Sequence, residues 1–488
     1  MKNLKLTTLV TSLILIRLIT PVKAEVATMY DARNVADNWV SLVLHHDGGW
    51  GQSKTAEIEH IQEFKRGKRT LGYYCPVKPR GFIIISLLKG LSPVKAYSET
   101  SILDPESDEG PADLLKLKME QMLNGIEKLA GSVSTVGTED LESILEINHL
   151  SKWDALDVEP KEFKTKLESV GFEDVYQPGT WLLSSSWHQG DPYNRQCPAG
   201  HNGCTEPHCA VGCVATAGAM IMHYWCWPPS TFDWPNIPNA IDGSSPQAQI
   251  DATAYLCSYV GLFAAMDYCG NEDIPCGSFT PTSNMEGVFE YVGYAFDCCW
   301  IRREGHSTEQ WWAGPGMIRD QISANMPVQY KVLNHSIVCD GWKAGYQVHM
   351  NYGWDNEFTT WYSIDGLWQP EGGGSGWYGI YGEEYAVFNI FPNVSMRSPV
   401  YGSFPSISGW PYRYFDRDCT GGPAYFAAGQ LIQFLHNVTV NATEGDFQFQ
   451  GAPGYQTRLF TRGDTTKGIR IDDGTLKLMS GGSIKLIH

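Results

Sequence analysis

The stretch from residue 208 to residue 228 constrains the fold of this chain more than any other, and it reads HCAVGCVATAGAMIMHYWCWP. After Gly212, apolar residues recur at steps of three and four, which is the pattern of one face of a buried helix. Pro228 and Pro229 end this pattern because proline cannot continue a helix. We therefore predict a buried helix with Cys213 at its start.

A cysteine at the start of a helix has a particular chemistry. The positive end of the helix dipole and the free N–H groups of the first turn favour the thiolate, which lowers the pKa of the thiol. We therefore predict that Cys213 is a nucleophile at neutral pH. The alternative is a cysteine that only packs in the core, as an isolated cysteine in an apolar helix usually does.

A cysteine nucleophile needs a base, and a later pair of short β-type runs offers one. The first run, 334–342, contains His335, and the second run, 347–354, contains Asn351 and Trp354. If the two runs are neighbouring strands, the Asn351 carboxamide orients the His335 imidazole while Trp354 shields both from water. The alternative is that His335 is a histidine whose hydrogen bonds are satisfied in the core.

Gln189 lies upstream of the cysteine in the segment WHQGDPYN. Its side chain offers an N–H donor that can stabilise an oxyanion. The order Gln, Cys, His, Asn along the chain is the order used by papain-like enzymes.

Four motifs carry a resemblance to a known family: GCVATAGAMIMHYWCWP, HSIVCDGW, VHMNYGWDN and EGGGSGWYG. They occur in the same order in the streptopain family of secreted bacterial cysteine peptidases, which the chain resembles over residues 181–392. The resemblance implies a papain-like fold. It also implies site residues, namely Cys213 as nucleophile, His335 as base, Gln189 in the oxyanion hole, and Asn351 and Trp354 in support.

One position departs from the family pattern. This chain has Tyr352 where the family commonly has a tryptophan directly after the asparagine. We expect the change to alter the wall of the pocket and to leave the cysteine–histidine pair untouched.

The first 24 residues are typical of a secretory signal peptide. Lys2 and Lys5 precede an apolar stretch that ends in a small-residue cleavage site at Ala24. We expect no segment to span a membrane, because no apolar run is long enough. The protein is therefore predicted to be secreted. Its net charge of −18 argues against nucleic acid or an anionic membrane surface as a partner.

Residues 25–170 form the next predicted unit. It contains a buried strand with the sequence GFIIIS and helical patterns at 30–43 and 112–129. The resemblance implies an inhibitory propeptide, and the alternative is a permanent accessory domain. We favour a zymogen because a secreted protease must be held inactive during export. Processing is expected between residues 131 and 179, for example in an exposed chain at 154–168.

Eleven cysteines lie between residues 197 and 339, and setting aside Cys213 leaves an even number. In an exported protein this favours disulfides, whose connectivity the sequence does not give. The ten are Cys197, Cys204, Cys209, Cys226, Cys257, Cys269, Cys276, Cys298, Cys299 and Cys339. A zinc site that includes His201 and His208 is the alternative, but the spacing fits no standard zinc pattern. We expect no metal and no cofactor.

Two further segments complete the organisation. The glycine-rich segment 371–379 is interpreted as a mobile loop over a bound peptide, or alternatively as a plain linker. Short alternating runs after residue 397 predict hairpins and an all-β domain. That domain either binds carbohydrate or cell-surface material or packs on the catalytic unit.

The predicted fold is α+β, with a papain-like peptidase core, an N-terminal α+β propeptide and a C-terminal all-β domain. The boundaries are 1–24 for the signal peptide, 25–170 for the propeptide, 171–396 for the peptidase and 397–488 for the β-rich domain. The predicted function is that of a secreted cysteine endopeptidase, made as a zymogen, that acts on protein or peptide substrates and is inhibited by its own propeptide. The alternative is a secreted binding protein or adhesin with an inactive papain-like domain.

Overall fold

The protein is described here by a computed structural model. Beyond residue 392 the model describes only the backbone of ten short strands. The described part of the chain before that point is residues 24–392 without 168–174, 229–230, 271–273, 296, 357 and 368–383. The predicted signal peptide, apart from Ala24, and the predicted glycine-rich loop therefore lie outside the described residues.

The N-terminal unit combines a helix, a run of strands and four further helices. The first helix is α1 (Met29–His46), which begins with a capping box formed by Thr28 and Asp31. The strands are β1 (Glu57–Ile58), β2 (Gln62–Arg66), β3 (Arg69–Lys78), β4 (Phe82–Ser86) and β5 (Val94–Ser98). The later helices are α2 (Gly110–Ala130), α3 (Thr138–Ile144), α4 (Leu150–Leu156) and α5 (Pro160–Leu167).

The second unit begins with a helical layer and ends in strands. Its helices are α6 (Cys213–Trp225), α7 (Gln247–Phe263), α8 (Asn284–Tyr291), α9 (Thr308–Ala313) and α10 (Ile318–Ser323), with a 3-10 turn at Trp234–Asn236. Its strands are β6 (Cys299–Arg302), β7 (Val328–Val332), β8 (His335–Lys343), β9 (Gln347–Asn351), β10 (Thr359–Ser363) and β11 (Tyr385–Phe388). The predicted buried helix is thus observed, and it begins at Cys213.

One antiparallel sheet runs through both units. Its strand order is β1-β3-β4-β5-β10-β9-β8-β7-β11-β6, with β2 paired to β3. The join is the pair β5–β10, where Tyr97 lies opposite Trp361 and Ala96 lies opposite Tyr362. The N-terminal unit therefore continues the sheet of the catalytic unit.

Three apolar clusters cover the two faces of this sheet. Helices α2, α3, α9 and α10 pack with strand residues in one cluster. Helices α1, α4 and α5 form a second cluster against the N-terminal strands and Trp361. Helices α6, α7 and α8 form the third, which reaches the sheet at Val338 and Val387. Two of the clusters therefore contain residues from both units, so the interface between the units is itself core.

Buried ion pairs lie within the same interface. The ammonium group of Lys95 on β5 lies 2.6 Å from a carboxylate oxygen of Asp365, and both side chains are buried. Lys118 on α2 lies 2.8 Å from a carboxylate oxygen of Glu384, which also pairs with Arg303 at 2.9 Å. A buried charge without its partner is costly, so the pairs of Lys95 and Lys118 tie the N-terminal unit to the second unit.

The cysteines depart from the sequence-based expectation. Among the described residues two disulfides form, Cys204–Cys276 and Cys209–Cys269. Cys197, Cys257, Cys298, Cys299 and Cys339 belong to neither bridge, and all of these except Cys299 are buried. Those buried thiols pack as small apolar side chains, which is a common role for cysteine and one that counting cannot separate from pairing. The even number was therefore a poor guide to the number of bridges.

The C-terminal strands are arranged differently from the predicted hairpins. Strands β12 to β21 fall into three parallel sheets. The first contains β12 (Ser398–Pro399), β13 (Tyr412–Phe415), β16 (Leu431–Phe434), β19 (Gln456–Phe460) and β21 (Ser483–Ile487). The second contains β14 (Cys419–Gly421) and β17 (Val440–Ala442), and the third contains β15 (Ala424–Phe426), β18 (Phe447–Phe449) and β20 (Leu476–Leu478). From β13 to β18 the chain visits the three sheets in turn, as a coil winding around three faces does. Alternation shows that strands are present but does not identify their partners, so the all-β character was predictable and the parallel pairing was not.

The expected processing segment at 154–168 is not an exposed chain. Helices α4 and α5 pack on α1, and the side chains of Trp153, Leu156 and Phe163 are buried. The carboxamide of Asn38 donates hydrogen bonds to the carbonyls of Leu156 and Val158. The many charged residues of this stretch suggested an exposed chain, but the few apolar side chains among them form the buried faces of two short helices. Residues 177–180, which have no regular structure and are mostly exposed, are the better candidates.

We predict that limited digestion of the full-length Cys213→Ala chain cuts residues 177–180 before it cuts α4 or α5. Exposed chain without regular structure enters a protease cleft readily, whereas packed helices must first unfold locally. N-terminal sequencing of the first fragments from a broad-specificity protease provides the measurement. A first cut inside Leu150–Leu156 or Pro160–Leu167 would contradict the packing described above.

Candidate active site

Cys213 is the first residue of α6, and the turn before it requires glycine. Gly212 has φ of +85°, and a Cβ there would lie 2.9 Å from the Ser278 carbonyl oxygen and closer still to Met266. A side chain at this position would therefore be both strained and blocked. The remainder of α6 is buried on nearly every side, so the helix holds the thiol at a fixed point of the fold.

His335 is the first residue of β8, at the end of a tight hairpin with β7. The turn consists of Leu333 and Asn334, and Val332 lies opposite His335. The backbone N–H group of the next residue, Ser336, interacts with the Cys213 thiol, as does the N–H of Val214. The start of α6 and the start of β8 therefore meet, and they bring the predicted nucleophile and the predicted base to one place.

The backbone of Tyr352, rather than the side chain of Asn351, holds the His335 imidazole. Atom Nε2 of His335 lies 2.7 Å from the Tyr352 carbonyl oxygen. The indole of Trp354 stacks on the imidazole with ring centroids 3.8 Å apart and planes 9° from parallel. The predicted shielding by Trp354 is thus observed, and the predicted contact with Asn351 is not.

Strand register explains why Asn351 does not reach the ring. Asn351 lies opposite Val338 in the β8–β9 pair, so continuing the same register beyond the end of β9 sets His335 opposite Trp354. The Asn351 carboxamide instead donates to the Ser185 carbonyl at 2.8 Å and accepts from the Gly353 N–H at 3.3 Å. It therefore fixes the turn that carries the Tyr352 carbonyl.

Gln189 lies beside the cysteine. Its backbone carbonyl accepts a hydrogen bond from the Val211 N–H, two residues before Cys213, at 2.9 Å. Its side-chain amide points across to the Gly353 carbonyl at 3.5 Å, a weak contact that leaves the donor available to another acceptor.

These side chains share one cleft of about 360 Å³. Cys213, His335, Gln189 and Trp354 line it together with residues of the α6–α8 layer. The cleft is also lined by the N-terminal unit through the first residues of α2, namely Gly110, Asp113, Leu114 and Leu117. The start of α2 therefore covers the candidate site.

The electrostatics of the covered site differ from the sequence-based prediction. Burial raises the pKa of the Cys213 thiol, although the N–H groups of Ser336 and Val214 and the charge of Lys331 favour the thiolate. Burial also lowers the pKa of His335 to about 4, against a smaller opposing effect of the Tyr352 carbonyl. The predicted depression of the thiol pKa is therefore wrong for this form of the chain, because loss of water outweighs the helix dipole. Both groups are uncharged at neutral pH.

Sequence reasoning missed the backbone groups that act here. The Tyr352 carbonyl and the Ser336 N–H carry no side-chain signal, so only the register of β8 and β9 could have revealed them. The imidazole of His349, on the neighbouring strand β9, lies 2.6 Å from the carboxylate of Asp340. That carboxylate accepts the N–H of Leu183 as well, so it anchors the start of the catalytic unit.

The alternative of a metal site receives little support in the described part of the chain. His201, Cys209 and Cys269 have potential ligand atoms within 4.8 Å of one another. Cys209 and Cys269 are joined as a disulfide, so their thiolates are not available to an ion in this form.

No helix among the described residues is both long and apolar enough to cross a membrane.

Comparisons with known proteins find a family model, related proteins and solved structures that resemble this chain. Residues 187–362 match the model of the Peptidase C10 family. Streptopain from Streptococcus pyogenes is 24% identical over 418 residues, which cover 76% of this chain and 94% of streptopain. Thiol protease/hemagglutinin PrtT from Porphyromonas gingivalis is 26% identical over 197 residues, which cover 34% of this chain and 21% of that protein. A solved fragment of prointerpain A from Prevotella intermedia is similar with a TM-score of 0.48 at 18% identity, covering 68% of this chain and 99% of the fragment.

We predict that the buried, uncharged His335 makes the full-length chain acid-sensitive. Its pKa is about 4 in the folded chain and about 6.5 when unfolded, so the unfolded state binds the proton more readily. Stability is then complete above about pH 6.5 and falls by about 3 kcal/mol as the pH drops to about 4. Melting temperatures of the Cys213→Ala chain across this range provide the measurement.

The matched control is the Cys213→Ala/His335→Gln chain, in which no group at this position titrates. Its loss of melting temperature between neutral and acidic pH should be clearly smaller. Equal losses in the two chains would show that His335 does not carry the effect.

Proposed function

We propose that this chain is a cysteine endopeptidase of the Peptidase C10 family made as an inactive precursor, on the basis of its match to that family's model over residues 187–362 and its similarity to streptopain. One observation carries the proposal, namely the single cleft that Cys213, His335 and Gln189 line together and that α2 covers. Cys213 supplies a nucleophile, His335 a base and Gln189 an oxyanion donor. Helix α2, which covers the cleft, supplies a reason for latency.

The proposed reaction proceeds through an acyl-enzyme. His335 takes the proton of the Cys213 thiol, and the thiolate attacks the carbonyl carbon of a peptide bond. The Cys213 N–H at the start of α6 and the Gln189 amide stabilise the oxyanion. His335 then gives its proton to the leaving amine, and water releases the acid product and restores the thiol.

The contacts of His335 suit this role. Because Nε2 donates to the Tyr352 carbonyl, Nδ1 is left unprotonated and free to accept the thiol proton. The stacked Trp354 keeps the imidazole in its plane and excludes water from one face. Asn351 acts through the turn that carries the Tyr352 carbonyl, so we assign it a positioning role.

Latency follows from the position of α2 in the cleft. Leu114 and Leu117 line the same cleft as the thiol and the imidazole, so α2 takes space that we assign to the substrate backbone. Burial favours the uncharged form of both groups, so the thiolate–imidazolium pair does not form at neutral pH. The enzyme becomes active when the N-terminal unit leaves, after a cut that we assign to residues 177–180.

The remaining assignments complete the proposal. Residues 25 to about 170 act as the inhibitory propeptide, residues 171–396 form the peptidase and residues 397–488 form the β-rich accessory domain. Export as a secreted protein follows from the signal-like sequence of residues 1–24. The substrates are proteins or peptides.

Replacing Cys213 with serine should abolish proteolysis by the processed protein. An alcohol is not deprotonated by an imidazole in this setting, so activity should fall by at least about 10⁴. Casein cleavage is a suitable assay, and circular dichroism checks that the variant folds. Activity within about tenfold of the wild type would contradict the assignment of the nucleophile. It would favour the alternative of a binding protein, with the proteolysis due to a contaminating protease in the sample.

Replacing Gln189 with alanine should lower the turnover number by roughly 10²–10³ with little change in KM, as removal of one oxyanion donor does. Gln196, whose side chain lies at the surface and donates to Asp251, is the matched control and should tolerate the same change. A raised KM with unchanged turnover would make Gln189 a residue that only binds substrate.

Breaking the buried Lys118–Glu384 pair should loosen the covered form. Lys118→Met leaves Glu384 with one cationic partner fewer in a buried setting, which costs about 1–3 kcal/mol. Unprocessed protein should then cleave a small fluorogenic peptide roughly tenfold faster than the unprocessed wild type. Lys68→Met, at an exposed position of the same unit, is the control and should change nothing.

A further inference from the structure

A row of aromatic rings lies along the surface of helix α7. Tyr255, Tyr259 and Phe263 follow one another at four-residue steps, and Phe232 and Tyr291 extend the row from neighbouring segments. Ring centroids are 5.0 Å apart for Phe232–Tyr259, 4.5 Å for Tyr259–Phe263 and 4.7 Å for Phe263–Tyr291. We call these five residues the α7 aromatic face.

Three of the five rings of the α7 aromatic face are exposed, Tyr259 is half-buried and Phe232 is buried beneath them. Tyr255 is 43% exposed, Phe263 is 38% exposed and Tyr291 is 68% exposed. Among the described residues, no hydrogen-bond partner contacts the hydroxyl groups of Tyr255, Tyr259 or Tyr291. Exposed rings that touch one another form a patch rather than scattered surface residues, and such patches mark interaction sites.

The chain segment that carries this face is acidic. Residues 196–301 contain ten aspartates and glutamates and neither lysine nor arginine. Asp233, Asp251 and Asp267 are exposed, and Glu290 precedes Tyr291 on α8. In the described part of this segment no carboxylate forms an ion pair with a lysine or arginine. Their negative potential is therefore not neutralised locally.

From this combination we propose that the α7 aromatic face is a docking surface for lysine- and arginine-rich polypeptide segments of the substrate. Cationic side chains bind over the faces of aromatic rings, and unpaired carboxylates nearby strengthen that attraction and draw the segment in from a distance. Acidic polypeptides and nucleic acids are repelled by the same field. The inference rests on the proposed function, because it names the class of substrate that the peptidase prefers.

The docking surface is close to the candidate active site. Asp267 follows Phe263 by four positions in the chain, so their Cα atoms are at most about 14 Å apart. Asp267 is paired through two backbone hydrogen bonds with Phe279, which lines the cleft beside Cys213. One extended substrate chain can therefore lie in the cleft and on the α7 aromatic face at once.

Binding can be tested without any catalysis. The full-length Cys213→Ala chain is mixed with fluorescent peptides of equal length that are rich in lysine, in glutamate or in glutamine, and anisotropy is recorded. We expect the lysine-rich peptide to bind at least about tenfold more tightly than either of the others at about 0.02 M salt, and to lose most of that advantage at about 0.5 M salt. Equal binding of the lysine-rich and glutamine-rich peptides would overturn the proposal.

Variants locate the binding. Tyr255→Ala/Tyr291→Ala should weaken binding of the lysine-rich peptide about five- to tenfold, whereas Tyr255→Phe/Tyr291→Phe should keep it, because the rings remain. Asp251→Asn/Glu290→Gln should weaken it too, and Glu304→Gln, an exposed change outside residues 196–301, should not. Unchanged binding in both the alanine and the amide variants would overturn the assignment to this surface. Salt-insensitive binding through the rings alone, as a carbohydrate would show, would also contradict it.

Catalysis separates this inference from the proposed function. Processed wild-type protein is given one cleavable peptide, either alone or with a lysine-rich or glutamate-rich extension at either end. We expect kcat/KM to be about tenfold higher with the lysine-rich extension at one end, and the alanine variant should remove the difference while cleaving the unextended peptide normally. Failure to cleave any peptide contradicts the proposed function, whereas equal cleavage of all of them contradicts only the docking surface.

Discussion

The charge state of the pair formed by Cys213 and His335 depends on the burial of both groups. The start of α6 holds the thiol beside the N–H groups that favour its ionisation, yet burial is the stronger effect. The same burial holds the imidazole neutral. Under the proposed function, a site whose residues are already in position stays silent because burial opposes the charge separation that its two groups need.

The way the N-terminal unit is attached explains why it stays in place. It contributes strands to the same sheet as the catalytic unit, joined at β5 and β10. Lys95 and Lys118 are paired with carboxylates of the catalytic unit in buried surroundings. A single cut in the connecting chain breaks none of these contacts, so release of the N-terminal unit must follow the cut as a separate step.

The sequence was informative where side chains decide the outcome. The apolar spacing after Gly212 predicted the helix and its first residue, and the two β-type runs were correctly read as neighbouring strands. The sequence was uninformative where the position of backbone groups or the choice of strand partner decides the structure. The register that sets Trp354 opposite His335, the carbonyl of Tyr352 and the parallel pairing of the C-terminal strands leave no pattern in residue type.

The predicted sign of the Cys213 thiol pKa shift was wrong because the sequence reveals the position of Cys213 at a helix start but not its burial. Burial depends on contacts between residues far apart in the chain. The sign of the shift can be measured directly. The ultraviolet absorbance of the thiolate, taken as the difference between wild type and Cys213→Ala, is titrated in the full-length chain and again after the N-terminal unit is removed. The thiolate should appear above the ordinary thiol pKa of 9.0 in the full-length chain and at several pH units lower in the processed protein. A thiolate already present at neutral pH in the full-length chain would contradict this account.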